Sequence, residues 1–140
     1  MTTDADLLQA SLEMIAESHG DIVPLVYQRF YAQYPETRRM FGRDESNIHQ
    51  GHMFNGMLLA ILEQAEERCP DGSISAWVQD HHLWGVKQPM FRAMFFAVLD
   101  TVRECLGTAW DGALEKAWRR QVGRLADRFD AACRVEKFCA

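Results

Sequence analysis

Apolar residues recur at three- and four-residue steps along most of the chain, which is the spacing that places them on one face of an α-helix. The clearest run lies near the C-terminus, with apolar positions at Trp110, Leu114, Trp118, Val122, Leu125 and Phe129. No segment has the sustained alternation of apolar and polar residues that indicates a β-strand. The pattern therefore predicts an all-α fold of roughly seven helices packed closely against one another.

Proline, glycine and capping residues predict where several of these helices begin and end. Asp4 is predicted to cap the first helix, and Pro35 to force a change of direction before a short helical turn. Gly85 is predicted to break a short helix that ends near residue 82. Gly107 is predicted to end the next helix, and Thr108 to cap the last one.

Length and charge narrow the class of protein. The chain has 140 residues, which we interpret as a single domain over residues 1–140. Its formal net charge is -5 and it has no run of basic residues, so nucleic acid is not expected as a partner. No apolar stretch is long enough to span a bilayer, and the acidic N-terminus does not resemble a signal peptide. We therefore expect a cytoplasmic protein without a membrane segment.

The number and spacing of the cysteines are consistent with a cytoplasmic location. They are Cys69, Cys105, Cys133 and Cys139, and no two of them form a CxxC pair. A domain of this size does not need disulfides to fold, so we expect thiols in a reducing compartment.

Among the five histidines, the sequence context singles out His81. It is adjacent to His82, and on one helix the two side chains point about 100° apart, so only one can face a given cavity. Gly85 and Val86 follow His81 at four and five residues, before a strongly apolar helix that begins near Pro89.

The motif His81-x-x-x-Gly85-Val86, with an aromatic residue at Phe91, resembles the proximal segment of the globin family. The similarity is greatest to bacterial haemoglobins and to the globin domain of flavohaemoglobins. The last two helices agree with it, through Leu106-Gly107-x-x-Trp110 and Ala117-Trp118. A globin fold is therefore expected.

The upstream half of the chain carries the same resemblance. Tyr27, Pro35 and Phe41 have the spacing of the family's distal tyrosine, the proline that opens a short helix, and the phenylalanine that packs on the haem face. Gly42-Arg43-x-Glu45-Ser46 then leads into the distal helix as in bacterial haemoglobins. The resemblance extends from about residue 7 to residue 129.

The resemblance implies a cofactor, haem b (iron protoporphyrin IX), with His81 as the iron ligand through a ring nitrogen. His82 is the alternative ligand. On the distal side the resemblance places His49 over the sixth coordination position, where it would donate a hydrogen bond to a bound gas or ligate the iron. The apolar face of residues 53–62 is centred nearer Gln50, which remains the alternative to His49. Tyr27 would supply a second hydroxyl donor.

The remaining cofactor contacts are also implied by the resemblance. Met53 would wall the distal pocket, and His52 would lie at its rim near a haem propionate. The apolar wall is expected to comprise Phe41, Met57, Val86, Phe91, Met94 and Phe95. Trp77 and Trp84 flank the predicted proximal helix and are placed to touch the haem edge.

Three functions are compatible with these sequence features. The first is reversible binding of O2 and other diatomic gases, CO and NO among them, for storage, delivery or sensing. The alternative is a nitric oxide dioxygenase or a peroxidase-like haem enzyme working with a separate reductase. A haem-free binding module is disfavoured, because such a protein has no need for His81 in its Gly-Val context. Flavohaemoglobins have a hydrogen-bonding tyrosine where this chain has Phe91, and we expect no attached reductase domain, so gas binding is favoured.

Overall fold

The computed structural model describes residues 1–41 and 48–136, and in these residues it contains helices and no β-strand. The helices are α1 (Asp4–Ser18), α2 (Val23–Gln33), a 3₁₀ helix (Pro35–Phe41), α3 (Ile48–Ala65), α4 (Asp71–Leu83), α5 (Gln88–Leu106), a short 3₁₀ helix (Gly107–Ala109) and α6 (Gly112–Glu136). The predicted all-α fold is confirmed. The Gly42-Arg43-x-Glu45-Ser46 segment and Cys139 lie outside the described residues.

The predicted breaks at Pro35, Gly85 and Gly107 are confirmed. Pro35 begins the first 3₁₀ helix, as its fixed φ and missing N–H allow. Gly85 (φ +85°) follows the end of α4, and Gly107 (φ +52°) ends α5. A side chain would be strained at both positions, because positive φ is in the region that favours glycine.

Two predicted helix caps are wrong. The hydroxyl of Thr3, one residue before Asp4, accepts the N–H of Asp6 at 3.1 Å, so Thr3 caps α1. Thr108 lies inside the short 3₁₀ helix, which delays the start of α6. The carboxylate of Asp111 accepts the N–H of Leu114 at 2.9 Å and caps α6 instead.

The core is built around α6, which packs against α1, α3, α4 and α5. Its apolar stripe is the predicted one from Leu114 onward, with Trp118, Val122 and Leu125 fully buried, whereas Trp110, predicted to lie in the same helix, precedes α6. The indole N–H of Trp118 donates to the hydroxyl of Ser11 on α1 at 3.0 Å, so its polar group is satisfied inside the core.

Two arginines connect neighbouring helices through their side chains. Arg92 of α5 forms ion pairs with Asp127 and Asp130 of α6. Arg128 of α6 donates to the side chain of Gln64, to the carbonyl oxygen of Cys69 and to the carboxylate of Asp71. The contacts of Arg128 connect the end of α3 and the start of α4 to α6. Within the described part of the chain, no helix is long and apolar enough to cross a membrane.

Candidate functional site

A cavity of about 570 Å³ lies between α2, the 3₁₀ helix 35–41, α3, α4 and α5. Its volume falls within the range of about 300–1,000 Å³ that is usual for small-molecule and cofactor sites. Most of the lining side chains are apolar or aromatic. In the part of the chain that the structure describes, no Lys or Arg lines this cavity, and Asp80 is its one carboxylate. The cavity therefore suits a large apolar group.

His81 lines one wall of the cavity from α4 and is half-buried. Its Nδ1 lies 2.8 Å from the carbonyl oxygen of Trp77, one turn earlier on the same helix. Because a carbonyl oxygen only accepts, Nδ1 carries a proton in this hydrogen bond. In the neutral ring Nε2 is then the unprotonated nitrogen, with a lone pair that can ligate a metal.

Two aromatic rings pack against the imidazole of His81. The ring centroid of Trp77 lies 5.8 Å from that of His81, and the ring of Phe91 on α5 lies 5.6 Å away, edge to face. Phe91 in turn packs on Phe129 of α6 at 5.2 Å. These contacts fix the plane of the ring without adding a hydrogen-bond donor from Phe91. His82, the alternative ligand, is exposed and does not line the cavity.

The opposite wall is formed by α3, where His49, Met53 and Met57 line the cavity at successive turns. Their burial increases along the helix: His49 is exposed, Met53 is half-buried and Met57 is only 3% exposed. The structure thus brings His49 to the mouth of the cavity. Gln50 and His52 do not line it, and the side chain of His52 is exposed.

Tyr27 and Phe41 form the third wall. Tyr27 is 1% exposed, and its ring meets that of Phe41 edge to face at 5.2 Å. Both line the cavity, as do the other predicted wall residues Val86, Phe91, Met94 and Phe95. Trp77 and Trp84, which the sequence placed beside the proximal helix, line it as well.

Sequence reasoning missed five of the lining residues: Phe30, Thr37, Met40, Asp80 and Met90. Three of them had a readable signal. Asp80 precedes His81, and Met40 and Thr37 lie in the short helix between Pro35 and Phe41. Because His81 and Phe41 were predicted site residues, their neighbours in the sequence could have been expected near the cavity. Five of the seven methionines of the chain line the cavity, which makes its wall flexible and polarisable.

Gly56 of α3 lies against the indole of Trp77 of α4. A Cβ atom at residue 56 would lie 3.1 Å and 3.2 Å from two carbons of the indole, so a larger residue there would crowd Trp77 and require a small shift. Gly56 thereby lets the indole stand between α3 and α4, with its ring also 6.1 Å from that of Phe129. Trp77 also lines the cavity.

Comparison with known proteins agrees with this geometry. The family model described as Globin matches residues 25–129, which is more than half of the chain. The chain is also 24% identical over 126 residues to a protein named Flavohemoprotein from Rhizobium meliloti (strain 1021). That match covers 87% of this chain and 31% of the relative, so the chain spans about a third of the relative's length. The chain belongs to the globin family.

Proposed function

We propose that this chain holds haem b in the cavity with His81 as the iron ligand, and that it reversibly binds O2, CO and NO for storage, delivery or sensing. Membership of the globin family implies a haem cofactor. The observation that carries the proposal is the 2.8 Å hydrogen bond from His81 Nδ1 to the Trp77 carbonyl oxygen. It leaves the lone pair of Nε2 available to a metal, and His81 lines the cavity from α4, which supports this role.

The cavity fits such a cofactor by its chemistry. A largely apolar wall suits the porphyrin macrocycle, and the exposed mouth at His49 and Trp84 suits the charged edge of that group. When bound, the haem iron supplies a coordination position at which diatomic gases bind. His49 and Tyr27 are the side chains in the wall that can donate a hydrogen bond to such a ligand.

Phe91 favours gas binding over the alternative, a nitric oxide dioxygenase or peroxidase-like enzyme with a separate reductase. Activation of bound oxygen is helped by a more electron-donating axial ligand. The described contacts of the His81 ring are one backbone carbonyl and two aromatic rings, and Phe91 offers no hydrogen bond that would strengthen it further. Similarity to a protein named flavohemoprotein is the observation that keeps the enzyme as second candidate.

A matched pair of variants tests the cofactor assignment. Haem is titrated into the apoprotein of the wild type, His81→Ala and His82→Ala, and the spectrum is recorded before and after addition of CO. We expect the wild type and His82→Ala to bind one haem with a CO-dependent shift of the Soret band, and His81→Ala to lose stable binding. An unchanged spectrum in His81→Ala would refute the assignment.

Consumption of NO separates the two candidate functions. The haem-loaded protein is mixed with O2 and NO, with and without an added reductase and reduced nicotinamide cofactor. A gas carrier consumes NO once per loaded haem, because nothing in the proposal re-reduces the iron. Many turnovers per haem in the presence of the reductase would establish the enzyme in its place.

A cytoplasmic location and a single domain over residues 1–140 are part of the same proposal. Cys69 and Cys105 are free thiols.

A further inference from the structure

We propose that a second, smaller cavity between α3, α4 and α6 binds one uncharged aromatic molecule of a single ring, and that Trp77 couples its occupancy to the haem site. The binding site itself is independent of the proposed function, whereas the coupling rests on it. Three observations carry the inference: the volume and lining of the second cavity, the charge in its lining, and the contacts of Trp77.

The second cavity has a volume of about 140 Å³ and is lined by residues of α3, α4 and α6 together with Cys69. Several of its lining residues are small, which leaves the space between the helices unfilled: Gly56 and Ala60 on α3, Cys69 before α4, and Ser73 on α4. An apolar cavity of about 150 Å³ can stay dry and bind benzene. The volume of the second cavity therefore suits one aromatic ring.

The lining of the second cavity combines buried apolar residues with exposed ones. Ile74 and Phe129 are 3% and 1% exposed, and their side chains offer a ligand only carbon and hydrogen atoms. Leu59 and Ser73 are exposed, so a small molecule can reach the cavity from solvent. A buried water typically makes about three hydrogen bonds, which the buried side chains do not supply. An apolar ring is therefore the better occupant.

The charge in the lining selects against anions. Glu63 lines the second cavity and is half-buried, and within the described part of the chain no Lys or Arg lines it. Burial raises the pKa of the Cys69 thiol, so this lining residue is uncharged at neutral pH. Benzene meets no electrostatic penalty in this cavity, whereas benzoate would be desolvated next to the carboxylate of Glu63.

Trp77 connects the second cavity to the larger one. Among the described residues it is the one that lines both. Its ring lies 6.1 Å from that of Phe129 in the second cavity and 5.8 Å from that of His81 in the larger one. Its carbonyl oxygen also accepts the hydrogen bond from His81. A change at either cavity therefore acts on the same residue.

This shared residue predicts a coupling that can be measured. When His81 holds the iron, its ring is restrained, and Trp77 is restrained with it. A ligand that packs on an already restrained wall loses less conformational freedom on binding. We expect haem loading to raise the affinity of the second cavity for benzene about fivefold, at the lower end of the usual range for coupled sites.

The test is a benzene titration followed by proton–nitrogen correlation NMR, on the apoprotein and on the haem-loaded, CO-bound protein. Leu59, Ala60 and Ser73 line only the second cavity and report on it. Met53 and Phe95 line only the larger cavity. We expect saturable shifts of the first set with benzene, a Kd about fivefold lower in the haem-loaded form, and no shifts of that set with benzoate.

A matched pair of variants assigns the shifts to the second cavity. Ser73→Leu fills it from an exposed position on α4. Ala76→Leu is the control, since Ala76 is exposed on the same helix and lines neither cavity. We expect Ser73→Leu to lose the benzene-dependent shifts and Ala76→Leu to retain them.

Two results would overturn the binding site: no saturable shift of Leu59, Ala60 and Ser73 up to the solubility of benzene, or shifts that persist at Leu59 and Ala60 in Ser73→Leu. Equal affinities in the apoprotein and the haem-loaded protein would refute the coupling through Trp77. The proposed function fails on a different result, namely that the wild type takes up no haem. The titration of the apoprotein would then still decide whether the second cavity binds benzene.

Discussion

Gly56 is the position at which the two walls of the cavity touch, and Gly56→Ala perturbs that contact with a single carbon atom. The added Cβ lies 3.1 Å and 3.2 Å from two carbons of the Trp77 indole. Because the indole also packs edge to face with Phe129, the ring has to tilt or α3 has to move. The carbonyl oxygen of Trp77, which accepts from His81, belongs to the same residue.

Two opposing contributions determine how Gly56→Ala changes the free energy of unfolding. Alanine is better than glycine inside a helix by about 1 kcal/mol, which stabilises the variant. Overpacking of a close contact typically costs about 1–3 kcal/mol. Gly51 provides the matched control, since it lies on the same helix and an added Cβ there meets nothing within 4 Å. The difference between Gly51→Ala and Gly56→Ala isolates the contact with Trp77, and we expect it to be about 1–3 kcal/mol.

The assay is urea denaturation of both variants and the wild type as apoproteins, followed by haem titration. Gly51→Ala is expected to be slightly more stable than the wild type with equal haem affinity. Gly56→Ala is expected to be less stable than Gly51→Ala and to bind haem more weakly, because the acceptor for His81 is displaced. If both variants are stabilised equally and bind haem equally, the Gly56–Trp77 contact does not support the site.

Two further predictions concern the region that anchors α4. Arg128→Ala removes the hydrogen bonds to Gln64, Cys69 and Asp71 and should lower the free energy of unfolding by about 1.5–3 kcal/mol. The control, Arg124→Ala at an exposed position, should change the free energy of unfolding by no more than about 0.5 kcal/mol. Equal losses for the two variants in urea denaturation would contradict the role of Arg128. Burial raises the pKa of the Cys69 thiol, against an opposing effect of Arg128, so the unfolded chain ionises first as the pH becomes alkaline. The free energy of unfolding should therefore fall in that range more steeply in the wild type than in Cys69→Ala, and parallel pH profiles would refute the shift.

Most of the helical framework was predictable from local physics. Pro35, Gly85 and Gly107 end or redirect helices through their own backbone preferences, so their effect can be read without knowing the fold. The caps were less predictable. Thr108 and Asp111 are both suitable capping residues, and the choice depends on whether a 3₁₀ turn intervenes, which tertiary packing decides.

The site was predictable where its residues share one helix face and less so where separate elements meet. His49 and Gln50 are adjacent on α3, and periodicity could not distinguish them because the stripe of apolar residues begins only at Met53. The structure brings His49 to the cavity and leaves Gln50 outside its lining. Phe30 and Met90 were missed because each comes from a different element, and their convergence is a property of the assembled fold.

The most direct test of the central claim, that His81 ligates the iron of a bound haem, is the spectrum of His81→Gly with and without free imidazole. Removal of the side chain leaves a space in which imidazole can take its place. We expect His81→Gly to form no stable haem complex and no CO-dependent Soret band when haem is added alone, and to gain both when imidazole is present. Stable haem binding with a wild-type spectrum in the absence of imidazole would contradict the assignment of His81.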